Sequence, residues 1–224
     1  MQQLLHHFFD FASVWPYWPA ILEGFLLTVA MSAATILIGI PLGLALAVAR
    51  LLGVRPLNAC ILVYIDVFRA VPQLVIIVLF YFALPYGGLT MGPAVATVLA
   101  LSMVLSALAE EIFWASIRAV AKGQWEAGRS TGLGFFPTLV YIILPQAIRM
   151  SVPPLTNRAI GISKGTTLGS VVAAPEMLNV TSSLESNTAN PTMLTVGAIL
   201  FVLLFLPLVR ASRWLERRLQ QRKA

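Results

Sequence analysis

Charged side chains are scarce in this chain of 224 residues. Asp, Glu, Lys and Arg make up 11% of it, against roughly 25% in soluble domains. Hydrophobic residues account for 58%, and the mean hydropathy is +0.86. A soluble globule of this size could not cover so much apolar surface with its own polar groups. The composition therefore excludes most soluble enzymes and intrinsic disorder, and it indicates a membrane protein.

Cysteine and histidine are almost absent, which excludes several kinds of site. The single cysteine, Cys60, rules out an intrachain disulfide framework and a cysteine-rich metal site. Histidine occurs only at His6 and His7, and two adjacent histidines without further ligands do not predict a metal centre. The sequence has no H-E-x-x-H motif and no Ser-His-Asp set, which argues against a membrane-embedded enzyme. It also has no G-x-x-x-x-G-K-[ST] motif, so it has no P-loop with which to bind ATP.

Long runs without charge predict the membrane spans. A span needs about 20 mostly apolar residues, and uncharged runs cover 25–49, 70–109 and 186–209. The second run is too long for one helix, and the turn residues within 85–93 divide it into two arms. A further apolar region is interrupted by prolines and predicts a broken or kinked span. We therefore expect an all-α integral membrane protein with about five transmembrane helices, centred near 37, 75, 104, 150 and 199.

The basic residues predict the orientation of these spans. Loops rich in Lys and Arg face the cytoplasm. With the N-terminus outside, every inner loop is basic, whereas the outer loops 85–93 and 175–187 contain no Lys or Arg. We expect an extracytoplasmic segment 1–19, a transmembrane domain 20–212 and a cytoplasmic tail 213–224 that binds anionic lipid rather than nucleic acid. The inner basic residues are Arg50, Arg55, Arg118, Lys122, Arg129, Arg210, Arg213, Arg217, Arg218, Arg222 and Lys223.

The second inner loop, 122–145, contains a predicted short helix. Trp125–Ser130 forms this helix, and Gly132 and Gly134 end it. The next two residues, Phe135 and Phe136, add apolar surface where the chain faces the cytosol, which is typical of a docking site for a partner protein. A loop that lies on the membrane surface has the same composition, so the residues alone leave both interpretations open.

This loop resembles that of a known family. Glu126-Ala127-Gly128, Gly132 and Ile142-x-Leu144-Pro145 are similar to the EAA motif of permeases of ATP-binding-cassette (ABC) importers, with Gly128 where the motif has Ala. The segments similar to the polar amino-acid branch of that family are Phe68–Pro72, Glu111–Phe113, Lys122–Gln124, Leu144–Arg149, Pro154-x-x-Asn157 and Lys164–Leu168.

The resemblance implies a type I ABC importer transmembrane domain in the bacterial inner membrane. Such permeases work as homo- or heterodimers on two ATPase subunits and receive solute from an extracytoplasmic binding protein. The expected function is import of polar amino acids, with another amino-acid-like solute such as an opine as an alternative. An ATP-independent channel or secondary transporter is the alternative from a different class, although neither needs a docking loop. The chain itself would be no enzyme and would bind no cofactor, because the partner subunit uses the ATP.

The resemblance also implies which residues contact the ATPase. The loop 122–145 would form the coupling helix, with Glu126, Ala127, Gly128 and Gly132 at the contact. Glycine in a helix costs up to about 1 kcal/mol relative to alanine. We therefore expect Gly128 to loosen this helix.

Ionisable residues within spans are candidates for function, because their burial in lipid is costly. Asp66 and Arg69 are three residues apart, so they share a helix face and we expect them to pair. Glu110 and Glu111 are adjacent and therefore point in different directions. We expect Glu111, which matches the family's Glu, to face the substrate pathway, and a packing or gating role for it stays open.

The stretch 157–167 is the better candidate for a substrate site. It follows Pro153 and Pro154, and a helix broken at mid-membrane exposes backbone groups that suit a zwitterion. Lys164 could meet a substrate carboxylate, and Gly165 stands where the family has Asp, which favours acidic or neutral substrates over basic ones. The alternative is that these side chains satisfy the broken backbone. The candidate residues are Asn157, Ser163, Lys164, Thr166 and Thr167.

Overall fold

The computed structural model describes residues 7–221, and every regular element in that range is helical. His6, Arg222 and Lys223, which the sequence places in the terminal segments, lie outside it. The helices are α1 (Trp18–Arg50), α2 (Arg55–Ala70), α3 (Gln73–Phe82), α4 (Pro93–Ala119), α5 (Lys122–Ser130), α6 (Phe135–Thr138), α7 (Leu144–Lys164), α8 (Met177–Thr188) and α9 (Thr192–Gln221). Short 3₁₀ segments occupy Phe11–Tyr17, Leu84–Gly87 and Gly165–Val172, and a π-helical segment occupies Leu139–Ile143.

Four continuous helical stretches are long and apolar enough to cross a membrane. They are Phe11–Arg50, Pro93–Ala119, Phe135–Val172 and Thr192–Trp214, and the bent pair α2–α3 makes a fifth when it counts as one span. The expected all-α fold with about five spans is confirmed. The expected boundary between domain and tail at 212/213 coincides with no break, because α9 runs through it.

The pair α2–α3 bends by 106°. Val71, between the two helices, is extended with φ −80° and ψ 131°. A residue before a proline is disfavoured in the helical region, and Pro72 has no N–H for the helical ladder. The bend therefore follows from one local feature of the sequence, and it lies at the start of the first of the two arms that we expected.

Helix α7 is continuous through Pro153 and Pro154, so the expected break at these prolines is wrong. The hydroxyls of Ser151 and Thr156 donate to the carbonyls of Ala147 and Val152, four residues earlier, at 2.7 Å each. Such local bonds help a membrane helix tolerate proline. The irregular backbone lies instead at the two ends of α7, in the π-helical and 3₁₀ segments.

On the predicted outer side, Glu176 fixes the start of α8. Its buried carboxylate accepts hydrogen bonds from the backbone N–H groups of Leu178, at 2.9 Å, and Asn179, at 2.8 Å. The N–H of Met177 donates to Thr28 Oγ1 of α1 at 3.0 Å. Burial raises the pKa of the Glu176 carboxyl above its ordinary value, and the bonds to Leu178 and Asn179 oppose that rise. The cap therefore ties α8 to α1.

The centre of the fold is the close crossing of α1 and α4. A row of small buried residues on α1, which includes Gly39, Gly43 and Ala47, lets the two backbones approach. A Cβ atom on residue 43 would lie 2.6 Å from the Cβ of Ala109 and 2.7 Å from the carbonyl oxygen of Ser106. No side chain larger than hydrogen fits there without moving one helix.

A buried ion pair lies at the end of this crossing. Nη1 of Arg50 donates to Oε1 of Glu110 at 3.1 Å, and Glu110 is fully buried. The guanidinium carbon of Arg50 lies 4.2 Å from the centroid of the Trp114 ring. Removal of one partner from such a pair leaves an uncompensated buried charge, so the pair fixes the register of α1 against α4.

We predict that Gly43→Ala destabilises the protein because the added methyl group forces α1 and α4 apart, at a cost of about 1–3 kcal/mol. Thermal unfolding in detergent measures this change. The matched control is Gly161→Ala in α7, where a Cβ atom meets nothing within 4 Å. Equal stability of the two variants would contradict the assigned crossing.

Candidate functional site

The predicted loop helix is confirmed as α5, and it is longer than expected, since it begins at Lys122. Gly132 ends it with φ +85°, a conformation that favours glycine. The N–H of Leu133 donates to the carbonyl of Gly128 at 3.2 Å across this turn. The chain thereby reverses direction and enters α6, which begins the span that contains α7.

Helix α5 packs closely against the beginning of the span that contains α7. Gly128 is buried, and a Cβ atom there would lie 2.7 Å from Cγ2 of Thr138 and 2.9 Å from Cδ1 of Ile142. The rings of Trp125 and Phe135 stack with centroids 5.6 Å apart. The expectation that Gly128 loosens the helix is therefore wrong, because the missing side chain is what allows close packing. This glycine faces the protein's own π-helical segment, so it cannot contact a partner directly as we expected.

A further bond links α5 to α7. Nε2 of Gln146 donates to Oε1 of Gln124 at 3.2 Å and to the carbonyl of Ile142 at 2.7 Å. No local pattern predicts this bond, because the two glutamines are 22 residues apart. The first turn of α7 is thus bonded directly to α5.

The remaining candidate contacts of the loop face outward. Glu126, Ala127 and Gly132 are exposed. Beside them lies a groove of about 440 Å³ lined by Leu51, Lys122, Trp125, Glu126, Arg129 and Phe135. The groove combines an aromatic floor with charges of both signs, which suits a protein partner better than a small solute.

The ion pairs differ from one expectation. Arg69 pairs with Glu111 of α4 rather than with Asp66, so the expected pair within α2 is wrong. The side chains of Arg69 and Glu111 are 42% and 41% exposed. Glu110 and Glu111 do point in different directions, since Glu110 is buried against Arg50. Glu111 thus reaches a half-open face of the molecule, where its charge is already balanced.

The outer end of α7 carries the candidate substrate residues. Lys164 and Thr167 line a groove of about 450 Å³ against Phe201, Phe205 and other apolar residues of α9. Nζ of Lys164 lies 5.7 Å from the centroid of the Phe205 ring. The hydroxyl of Thr167 donates to the carbonyl of Lys164 at 2.9 Å. The groove therefore presents one cation and one hydroxyl beside aromatic faces.

The other candidates point elsewhere. Thr166 is buried, and its hydroxyl donates to the carbonyl of Ser163 at 2.8 Å. Asn157 is exposed, and its Oδ1 accepts from Oγ of Ser212 at 3.1 Å. Ser163 is 3% exposed and lines a separate apolar cavity of about 490 Å³ between α1, α4, α7 and α9. Its Oγ has no hydrogen-bond partner among the described atoms. The five residues thus share one helix region but do not form one pocket.

Gln73 is a residue that the sequence did not single out. A Cβ atom on Gly165 would lie 2.7 Å from Oε1 of Gln73. The amide of Gln73 therefore occupies the space next to the position where the family has Asp. Only contact between α3 and the 3₁₀ segment Gly165–Val172 reveals this, and no local signal in the sequence predicts it.

These features define a class of protein. Among the described residues, four apolar spans and the bent pair α2–α3 are arranged around the crossing of α1 and α4. The short helix α5 packs at the predicted cytoplasmic base with one face exposed. That is an architecture typical of the membrane subunit of a transport protein.

Comparison with known proteins gives the family. The family described as binding-protein-dependent transport system inner membrane component matches residues 39–223, and the chain belongs to this family. It is 33% identical over 208 residues to the L-cystine transport system permease protein TcyB of Bacillus subtilis, covering 92% of this chain and 88% of that protein. It is 32% identical over 215 residues to the glutamine transport system permease protein GlnP of Escherichia coli K12, covering 95% and 98%.

The structural comparison agrees. A crystal structure of an amino acid ABC transporter with histidines superimposes with a TM-score of 0.83 at 30% identity, covering 93% of this chain and 98% of that one. The MetNI methionine ABC transporter in an inward-facing conformation shares the fold, with a TM-score of 0.68 at 19% identity. The resemblance to ABC importer permeases is confirmed.

We predict that Gly128→Val displaces α5, because the larger side chain overlaps Thr138 and Ile142, at a cost of about 1–3 kcal/mol. Amide hydrogen exchange of the segment 122–130 should become faster. Gly123→Val is the matched control, since a Cβ atom at Gly123 of the same helix meets nothing within 4 Å. Unchanged exchange in the Gly128 variant would show that α5 is not held by this contact.

Proposed function

We propose that the chain is the permease subunit of an ABC importer that moves polar amino acids into the cytoplasm. A separate ATPase binds α5, an extracytoplasmic binding protein delivers the solute, and a second permease copy or paralogue completes the pathway. The observation that carries this proposal is the seating of α5, with Gly128 packed inward and Glu126 and Ala127 facing out.

The position of α5 explains how a partner could drive transport. The helix follows α4 after Val120 and Ala121 and precedes α6 and the π-helical segment below α7. Its contacts with Phe135 and Gln146 make it part of the same rigid base. Closure of two ATPase subunits on bound ATP would pull α5, and the bases of α4 and α7 would move with it. ATP is hydrolysed by the partner subunit, and this chain supplies only the helices that move.

The orientation follows from charge. The basic residues of the loop after α1, of α5 and of α9 all lie on one side of the spans, and we place that side in the cytoplasm of the bacterial inner membrane. The groove beneath α5 then faces the compartment in which ATP is available. The relatives named for cystine and glutamine support an amino-acid substrate.

The substrate would pass along α7. The groove at Lys164 and Thr167 offers a cation for the α-carboxylate and a hydroxyl beside it, while the balanced pair of Arg69 and Glu111 lies nearer the cytoplasm. Recognition of an amino acid by such sparse groups suits a carrier that must release its solute.

We expect Glu126→Lys to abolish recovery of an ATPase with the affinity-purified permease, because the change reverses a charge on the exposed face of α5. The control is Glu185→Lys in α8, on the opposite side of the membrane, which makes the same change in charge. Full transport and normal ATPase recovery with Glu126→Lys would refute the docking assignment.

Thr167→Trp should block amino-acid uptake, because the indole fills the groove against Phe201 and Phe205, yet it should leave assembly with the ATPase intact. Thr167→Ser keeps the hydroxyl and should keep uptake near the unmodified level. The measurement is uptake of a radiolabelled amino-acid mixture by cells that produce the whole transporter. Unchanged uptake in the Trp variant would move the pathway elsewhere.

A further inference from the structure

The cavity between α1, α4, α7 and α9 is separate from the groove that Lys164 lines, and it is long and narrow. One face of α7 lines it from Ile148 to Ser163. At 1.5 Å per residue, these two residues are about 22 Å apart along the helix. A volume of about 490 Å³ over that length gives a mean cross-section of roughly 20 Å². The cavity therefore suits an extended ligand rather than a compact one.

The cavity is accessible at one end and buried at the other. Among its lining residues, Ile148, Leu208 and Ala211 are exposed, whereas Ala159 and Ser163 are buried. The exposed residues belong to the start of α7 and to the last part of the α9 span, which we place on the cytoplasmic side. A ligand would therefore enter from the inner half of the bilayer.

The walls offer almost no free polar group. The hydroxyls of Thr156 and Ser212 are already used, because they donate to the carbonyl of Val152 at 2.7 Å and to Oδ1 of Asn157 at 3.1 Å. Among the lining side chains that the structure describes, Oγ of Ser163 alone lacks a partner. One hydroxyl cannot compensate the two charges of an amino acid, whose burial without partners is costly. An apolar cavity also excludes water, so the walls favour a hydrocarbon.

The cross-section excludes a helix from another subunit. A helix with its side chains is about 10–12 Å across and so occupies roughly 80 Å² or more, several times the section of the cavity. A single unbranched acyl chain is narrow enough to enter. Half of the hydrocarbon core of a bilayer is about 15 Å thick, so a chain of one leaflet is long enough to fill most of the cavity.

Basic side chains surround the accessible end. Arg149 follows Ile148, and Arg218 stands two helical turns after Ala211 on the same face of α9. The guanidinium carbon of Arg218 lies 4.1 Å from the centroid of the Trp214 ring, and such aromatic residues are typical of the membrane interface. Within 144–152 and 205–221 the sequence has one carboxylate, Glu216, against Arg149, Arg210, Arg213, Arg217 and Arg218.

We propose that the cavity binds one acyl chain of an anionic phospholipid from the inner leaflet, with the headgroup phosphate against the arginines at its accessible end. Basic pockets between transmembrane helices on the cytoplasmic side bind such headgroups. A chain gains little by moving from lipid into an apolar cavity, so the charged headgroup provides the preference. The expected contact of the tail with anionic lipid needs only a surface, whereas a bound chain fixes one lipid between α7 and α9.

Photolabelling of the purified permease–ATPase complex tests this proposal. The complex is placed in phosphatidylcholine nanodiscs that contain a trace of phosphatidylglycerol, or of phosphatidylcholine, with a diazirine in the middle of one acyl chain. We expect the phosphatidylglycerol to label 148–163 and 208–212 at least about fivefold more strongly than the phosphatidylcholine. Leu203, which is 63% exposed on α9 and does not line the cavity, should be labelled equally by both lipids.

Two pairs of variants separate the chain from the headgroup. Ala211→Trp blocks the accessible end and should reduce labelling of 148–163 by at least about fivefold, while Ala198→Trp, at an exposed position of α9 away from the cavity, should not. Arg218→Gln should lower the preference for phosphatidylglycerol to about twofold or less, because one cation near the headgroup is lost. Arg55→Gln removes an exposed cation at the start of α2 and should leave that preference unchanged.

Several outcomes would overturn the proposal. They are equal labelling of the lining residues by the two lipids, labelling confined to side chains outside the cavity, and unchanged labelling in Ala211→Trp. Protection of the lining residues by excess L-glutamine would assign the cavity to the solute pathway instead. The comparison of the two lipids needs no variant, so it decides even where Ala211→Trp fails to fold.

Discussion

The close approach of α1 and α4 is the contact on which the rest of the protein depends. Lipid is as apolar as the helices, so helix association in the membrane relies on close packing rather than on burial from water. The glycines at 39 and 43 bring the backbones together, and the pair of Arg50 and Glu110 fixes how far one helix can slide along the other. The end of α4 leads through Val120 and Ala121 into α5, so this crossing also sets where α5 begins.

Features with a local cause could be predicted from the sequence, and features made by contact between distant residues could not. Runs of apolar residues predict the spans, and Gly132 predicts the end of α5, because hydropathy and backbone conformation are properties of short segments. The inward face of Gly128 and the partner of Arg69 depend on residues far away in the chain. The prolines of α7 led to a wrong prediction. Proline usually breaks a helix, but here neighbouring packing and hydroxyl groups keep the helix continuous.

Helix α7 joins the two parts of the molecule that a transporter must coordinate. Its first turn is bonded to α5 through Gln146, and its last residue is Lys164 in the groove against α9. Both of its ends pass into irregular helix, π-helical on one side and 3₁₀ on the other. A helix that is regular along its length and irregular at both ends can shift as a unit when α5 is displaced. The proposed docking surface and the proposed solute groove would then move together, because one helix connects them.

The ion pair of Arg50 and Glu110 has a consequence for how the protein is made. Arg50 ends the first helix and Glu110 lies 60 residues later in the chain, so several seconds of synthesis separate them at about 5–20 residues per second. Helix α1 is therefore inserted in the membrane, with its basic end at the surface, before α4 is synthesised. When α4 enters the membrane, the guanidinium of Arg50 is already there to pair with the carboxylate of Glu110. This pairing lowers the free-energy cost of burying that carboxylate in lipid. The order of the helices in the gene thus matches the order in which the two charges can be tolerated during insertion.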